Sequence, residues 1–144
     1  MKLSRYFSLE EMTFSQTAVR KGIENDPSKA VIENLMHTAA EMDKVRTLLN
    51  RPVLVSSGYR SPELNKAIGG AATSAHMTGF AVDFTCPEYG TPKDIFNAIR
   101  KSNIRYDQLI EEGQWVHISF GPGLRNQKLI ARFIDGKAHY TEVA

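Results

Sequence analysis

Only one cysteine, Cys86, stands among the 144 residues of this chain, so no disulfide can close within it and packing must hold the fold together. A nucleophilic thiol needs a base and a positive environment. Thr85 and Pro87 supply neither, which leaves Cys86 as a small buried or half-buried residue. Long apolar runs are also missing. No stretch approaches the ~20 residues of a membrane-spanning helix, and the N-terminus, MKLSRYFSLEEMTFSQTAVRKG, lacks the apolar centre of an export signal. The chain is expected to be made in the cytoplasm with no signal of its own. Charge of one sign is scarce, since 18 Lys and Arg against 16 Asp and Glu leave a net +2. A mild positive balance suits an acidic polymer, but an ordinary soluble surface explains it better, and no basic run with interleaved aromatics argues for nucleic acid. Repeats, low-complexity tracts and linkers are absent. At 42% hydrophobic and 24% charged, residues 1–144 read as one domain with a real core, expected to be a monomer.

What is present begins with helix signals. Ser8 followed by Glu11 reads as a capping box, with Phe7 and Met12 placed as its hydrophobic staple. Residues 13–23 read as a looser segment ending in Glu24, Asn25, Asp26 and Pro27. Asp26 is then expected to cap a long helix with Pro27 at its first position. Val31, Leu35, Met42, Val45 and Leu49 share one stripe of that helix, with Ala39 and Leu48 beside it. His37 lies off the stripe and reads as a surface residue. Val53, Leu54 and Val55 suggest a short buried strand, and Ser61 with Pro62 opens a short helix stopped by Gly69 and Gly70. Thr91 and Pro92 open an amphipathic helix with Ile95, Phe96 and Ile99 inward. Residues 129–134 read as a strand turning at Asp135 and Gly136 into residues 138–141, with His139 facing solvent on the edge. The expected class is α+β, with N-terminal helices packed on a small, mainly antiparallel sheet.

The chemistry concentrates in residues 57–84, SGYRSPELNKAIGGAATSAHMTGFAVDF. His76 sits in its glycine-rich part, and Asp83 sits in the apolar run Phe80, Ala81, Val82, Phe84, where period-2 alternation turns it away from Val82 and Phe84. A carboxylate in such a strand must be paired, hydrogen-bonded or bound to a cation. The strand-like run WVHISF, residues 115–120, adds His117. Two imidazoles and one carboxylate, with a fourth position left to water, form the ligand set of a catalytic zinc site. Arg60, at a strand-to-helix junction, can fork two hydrogen bonds to a carboxylate or an oxyanion.

SGYRSPELNKAIGG, SAHMTGFAVDF and WVHISF together resemble the zinc D-Ala-D-Ala carboxypeptidase family. That family also holds phage endolysin L-alanyl-D-glutamate peptidases and shares its fold with the Hedgehog signalling domain. The segments span residues 53–120 in the family's order. The resemblance implies that His76, Asp83 and His117 bind Zn²⁺, that Arg60 binds a substrate carboxylate or carbonyl oxygen, and that Ser74 lines the cleft. It implies a peptidoglycan stem peptide as substrate. A compact chain without a signal then suggests a phage or prophage lysis enzyme that reaches the wall on release or on the virion.

One position departs from the pattern. Several relatives carry a catalytic glutamate three residues before the last histidine ligand, where this chain has Gln114, which cannot take a proton from water. Glu111 and Glu112 stand just upstream. If Gly113 and Gln114 form a two-residue turn, Glu112 faces Trp115 and Ile110 faces His117, which puts Glu112 on the metal side and Glu111 on the other. Shorter members of the family often carry a glutamate two positions after a Leu-Ile pair, which again selects Glu112. The glutamine also favours, as an alternative, a zinc-containing domain of the same fold that binds wall without catalysis, and a virion structural domain of that fold is a second alternative. Arg60 and Ser74 favour the enzyme.

Overall fold

A computed structural model describes all 144 residues. Its helices are α1 (Leu9–Thr13), α2 (Gln16–Lys21), α3 (Lys29–Leu49), α4 (Pro62–Ala67) and α5 (Pro92–Lys101). A single 3₁₀ turn occupies Ala75–Thr78, and the strands are β1 (Leu54–Ser57), β2 (Ala81–Thr85), β3 (Gln108–Glu111), β4 (Val116–Ser119), β5 (Gln127–Ile134) and β6 (Lys137–Glu142). The six strands form one sheet in the order β1-β2-β4-β3-β5-β6, antiparallel throughout except where β3 runs beside β5. The architecture is α+β, as the order of helix and strand signals implies.

Several local expectations hold. Ser8 and Glu11 exchange both bonds of a capping box at α1, and Phe7 and Met12 are both buried. Ser61 caps α4 with Pro62 at its first turn, and Thr91 with Asp94 forms a second capping box at α5. Asp135 and Gly136 take φ of 52° and 77°, the two positive values that a type I′ turn demands, and β5 and β6 pair across them. Cys86 is buried and free.

Four details differ. Residues 13–23 include the helix α2, capped by Ser15 and closed by Gly22 at φ 65°; its two caps outweigh a short and weakly patterned sequence. The long helix starts at Lys29 under a Ser28 cap rather than at Pro27 under Asp26. The preceding segment is tied elsewhere: Asn25 donates to the Thr13 and Tyr59 carbonyls and accepts from the Ser61 amide, which holds the backbone extended. Leu48 lies outside the core at 40% exposed, while Thr38 is buried in its place and donates to the Gly79 carbonyl at 2.7 Å. The strand after α3 is an edge strand beginning at Leu54, itself exposed, and only Val53 before it is fully packed.

Alternation divides the sheet into two faces. Val82, Phe84, Leu109, Val116 and Ile118 point to one side and pack in a single core with Leu35, Met42, Val45, Ile95, Phe96 and Ile99 of α3 and α5. Fully burying each such side chain contributes roughly 1.5–3 kcal/mol. The intervening residues of the same strands, Asp83, Ile110 and His117, face the opposite side, where the Ala75–Thr78 turn packs on β2 and a cleft of about 680 Å³ opens.

Candidate metal centre

Asp83 and His117 are direct partners across the β2/β4 ladder, so the sheet register alone brings a carboxylate and an imidazole together. His117 Nδ1 lies 2.9 Å from Asp83 Oδ1. His76 arrives from the 3₁₀ turn, whose start is capped by the Ser74 hydroxyl accepting from the His76 amide, and its Nε2 lies 3.2 Å from the same oxygen. One ligand atom from each of the three residues falls within 4.8 Å of the others, a cluster able to hold a metal ion.

The hydrogen bonding of His76 favours a cation there. Its Nδ1 is 2.7 Å from the Gly58 carbonyl, which can only accept, so Nδ1 carries the proton. Burial favours the neutral ring against the pull of Asp83. In that tautomer the Nε2 lone pair faces a carboxylate oxygen, an acceptor against an acceptor, and a cation between them satisfies both. A ligating histidine anchored through its other nitrogen to a backbone carbonyl is the usual outer-layer arrangement of a metal site. Gly58 suits this role because it sits against α1: a Cβ there would run into the Met12 carbonyl. Burial by itself would raise the Asp83 carboxyl, yet the hydrogen bond from His117 and the nearness of the His76 ring hold it far below the usual carboxylate range. All three residues fit a metal ion by donor chemistry and by convergence.

Arg60 also lines the cleft, though much of its fork is taken by the protein. Nε donates to Ser57 Oγ at 3.1 Å, Nη1 to Asn65 Oδ1 at 3.3 Å and Nη2 to Asp83 Oδ2 at 3.2 Å. A guanidinium has five N–H donors, so two remain for a ligand. Buried Asn65 also donates to the Ala71 carbonyl at 2.9 Å and so fastens the loop that forms one wall of the cleft, from Ile68 to Ala75. Ser74 lines that wall.

The β3/β4 hairpin has the register expected from the sequence. Ile110 faces His117, and the Glu112 amide donates to the Trp115 carbonyl at 2.9 Å across a two-residue turn with Gly113 at φ 90°. Glu112 consequently lines the cleft with His76, Asp83 and His117, and its Oε2 accepts from Trp115 Nε1 at 3.1 Å. Burial, then the negative Asp83, raises its carboxyl above the ordinary value, against smaller opposing effects of His117, Trp115 and Arg60. Glu111 turns to the other face. There it accepts 2.8 Å and 3.0 Å bonds from Arg132 and a bond from the Gly113 amide. Gln114 is exposed in the turn.

Residues 5–119 match the family model described as Peptidase M15. This chain belongs to the peptidase M15 family. The match covers about four-fifths of the sequence and contains the whole His76, Asp83, His117 cluster. No curated protein matches the chain in sequence. An M15 peptidase with this cluster has the parts of a metallopeptidase. Several contributors escaped the sequence reading: Ser57 and Asn65 behind Arg60, the Gly58 carbonyl behind His76, and Trp115 behind Glu112. For Asn65 a signal existed, since asparagine in a six-residue helix is a poor helix former and needs a reason to be there. The carbonyl left none, because any residue has one.

A second cavity of about 720 Å³, between α3 and residues 102–105, contains His37 and Glu41 but no convergent ligand set.

Proposed function

We propose that this M15 peptidase is a single-domain zinc enzyme that hydrolyses peptide bonds in peptidoglycan stem peptides, of the endolysin type encoded by a phage or prophage. The observation that carries the reading is the convergence of His76, Asp83 and His117 at the floor of a cleft that Glu112 also lines. The three residues would hold Zn²⁺, which when bound supplies a Lewis acid and lowers the pKa of its water toward ~7. Glu112 takes a proton from the attacking water and delivers it to the leaving amine. Its raised carboxyl is closer to the poise a general base needs than an exposed glutamate, and Trp115 fixes its orientation. The free donors of Arg60 hold the substrate oxygen that gains charge. Ser74 lines the wall along which the peptide lies.

A zinc-containing, non-catalytic wall-binding domain is the alternative that Gln114 favours. Glu112 in the cleft weakens that reading, because a carboxylate is available without the missing one. Digesting purified peptidoglycan and weighing the fragments by mass spectrometry tests the reading. Release of terminal D-alanine marks a carboxypeptidase, and cleavage after L-alanine marks an endopeptidase. Metal analysis should find about one zinc per chain. Neither product, from protein carrying zinc, would refute the enzyme.

A further inference from the structure

The family match ends at Ser119, but the cleft does not. Phe133, Ala138 and Tyr140 of the β5/β6 hairpin line the same cavity as His76, Asp83, Glu112 and His117. Their presence there follows from register. Phe133 faces Ala138 and Ala131 faces Tyr140 across the hairpin, while β5 runs parallel to β3 with Leu129 opposite Ile110, so this face of the hairpin continues the cleft face of the sheet. Counted along the sheet, β6 is four strands from β2. Only a strongly twisted sheet returns β6 to the cavity floored by Asp83, and the β5/β6 hairpin therefore stands as the wall opposite Ile68 to Ala75.

That wall is aromatic and open. Phe133 and Tyr140 are each 55% exposed, an unusual cost for large rings unless something covers them. The Phe133 ring lies 6.4 Å from that of Trp115, tilted by 37°, so Trp115, which orients Glu112, and Phe133 form one continuous shelf. Tyr140 is within electrostatic reach of Glu112 and Asp83: burial, then these two carboxylates, raises its phenol. A protonated phenol at this position is a hydrogen-bond donor facing the cleft.

We infer that the β5/β6 hairpin is a substrate-contacting wall of the peptidase cleft, in which Phe133 with Trp115 seats an apolar part of the peptide and the Tyr140 hydroxyl donates to a peptide carbonyl beside the scissile bond. This rests on the stem-peptide reading above and adds residues that the family match does not reach. The occupant is a peptide rather than a second copy of the chain because the shelf is continuous with the metal centre and the opposite wall leaves a channel between them.

Steady-state kinetics on a soluble stem-peptide fragment of peptidoglycan, with zinc content measured for every variant, tests it. Phe133→Ala should raise KM about tenfold through lost apolar contact. Tyr140→Phe, which keeps the ring, should raise KM about three- to tenfold through one hydrogen bond. His139→Ala is the control. It sits between Ala138 and Tyr140 on the opposite face, paired with Arg132, and should leave KM unchanged. Titrating the emission of Trp115, the chain's single tryptophan, with the same peptide should show weakened binding in the first two variants. A wild type inert toward stem peptides overturns the substrate and, with it, the shelf as its seat. An active wild type whose KM is unmoved by Phe133→Ala and Tyr140→Phe, or moved equally by His139→Ala, overturns the shelf alone.

Discussion

The two faces of the sheet each bury a carboxylate, and they hold it in opposite ways. On the core face, Glu111 is closed into a pair with Arg132 and the Gly113 amide, so its acceptors are used up by the protein's own donors. On the cleft face, Asp83 gathers His76, His117 and Arg60 around itself, and one of those neighbours, His76, turns a lone pair toward it. A depressed carboxyl is common to both. The difference is that Glu111 is satisfied and Asp83 is surrounded by groups that make sense with a cation between them. Burial of a carboxylate therefore does not mark a site. The chemistry of its partners does.

The sharpest break between the faces comes from His76→Ala or His117→Ala. Either should bring zinc content from about one to near zero and wall hydrolysis to background, while circular dichroism stays native, because a three-ligand site loses both Lewis acid and nucleophile with one ligand. Wild-type activity in a folded His117→Ala protein would remove the metal centre from the mechanism.

A smaller effect separates the two adjacent glutamates. Glu112→Gln should lower turnover by about 10²- to 10⁴-fold with zinc retained, the usual worth of a general base. In the metal-free protein the Glu112 carboxyl should titrate above its ordinary value, since burial and then the negative Asp83 raise it. Wild-type turnover in Glu112→Gln with zinc retained would assign the base elsewhere.

The smallest effect belongs to the core face. Glu111→Gln should leave turnover within a few-fold of wild type but cost about 1–2 kcal/mol of stability in urea titrations, from loss of the charged pair with Arg132. Because Arg132, then the Gly113 amide, lowers the folded-state carboxyl, the stabilisation is complete above 4.5 and fades as pH falls through the lower folded value. The wild-type advantage over Glu111→Gln should accordingly shrink toward acid. If Glu111→Gln instead abolished turnover, the two glutamates would have exchanged faces and the hairpin register would be wrong.

Part of this was legible in the chain. Caps and prolines announced α1, α4 and α5 because the groups that satisfy a helix end lie within a few residues of it. Alternation around Asp83 revealed that it leaves the core face, and a two-residue turn set the partnership of Ile110 and His117. The start of α3 was misjudged for a reason of the same kind reversed: Asn25, which holds the segment before it, bonds to Thr13, Tyr59 and Ser61.

By itself, then, the sequence determined the N-terminal caps of α1, α4 and α5, the apolar stripe of α3, the tight turns at residues 113–114 and 135–136, and the three donor types of the metal cluster, since each depends on spacing along the backbone. Tertiary structure decided which of those donors meet a backbone carbonyl at Gly58, that Arg60 spends three donors on Ser57, Asn65 and Asp83, and that Tyr140 returns to a cleft floored 57 residues earlier in the chain by Asp83. These depend on the accumulated twist of six strands and on contacts between distant segments, for which no local periodicity exists.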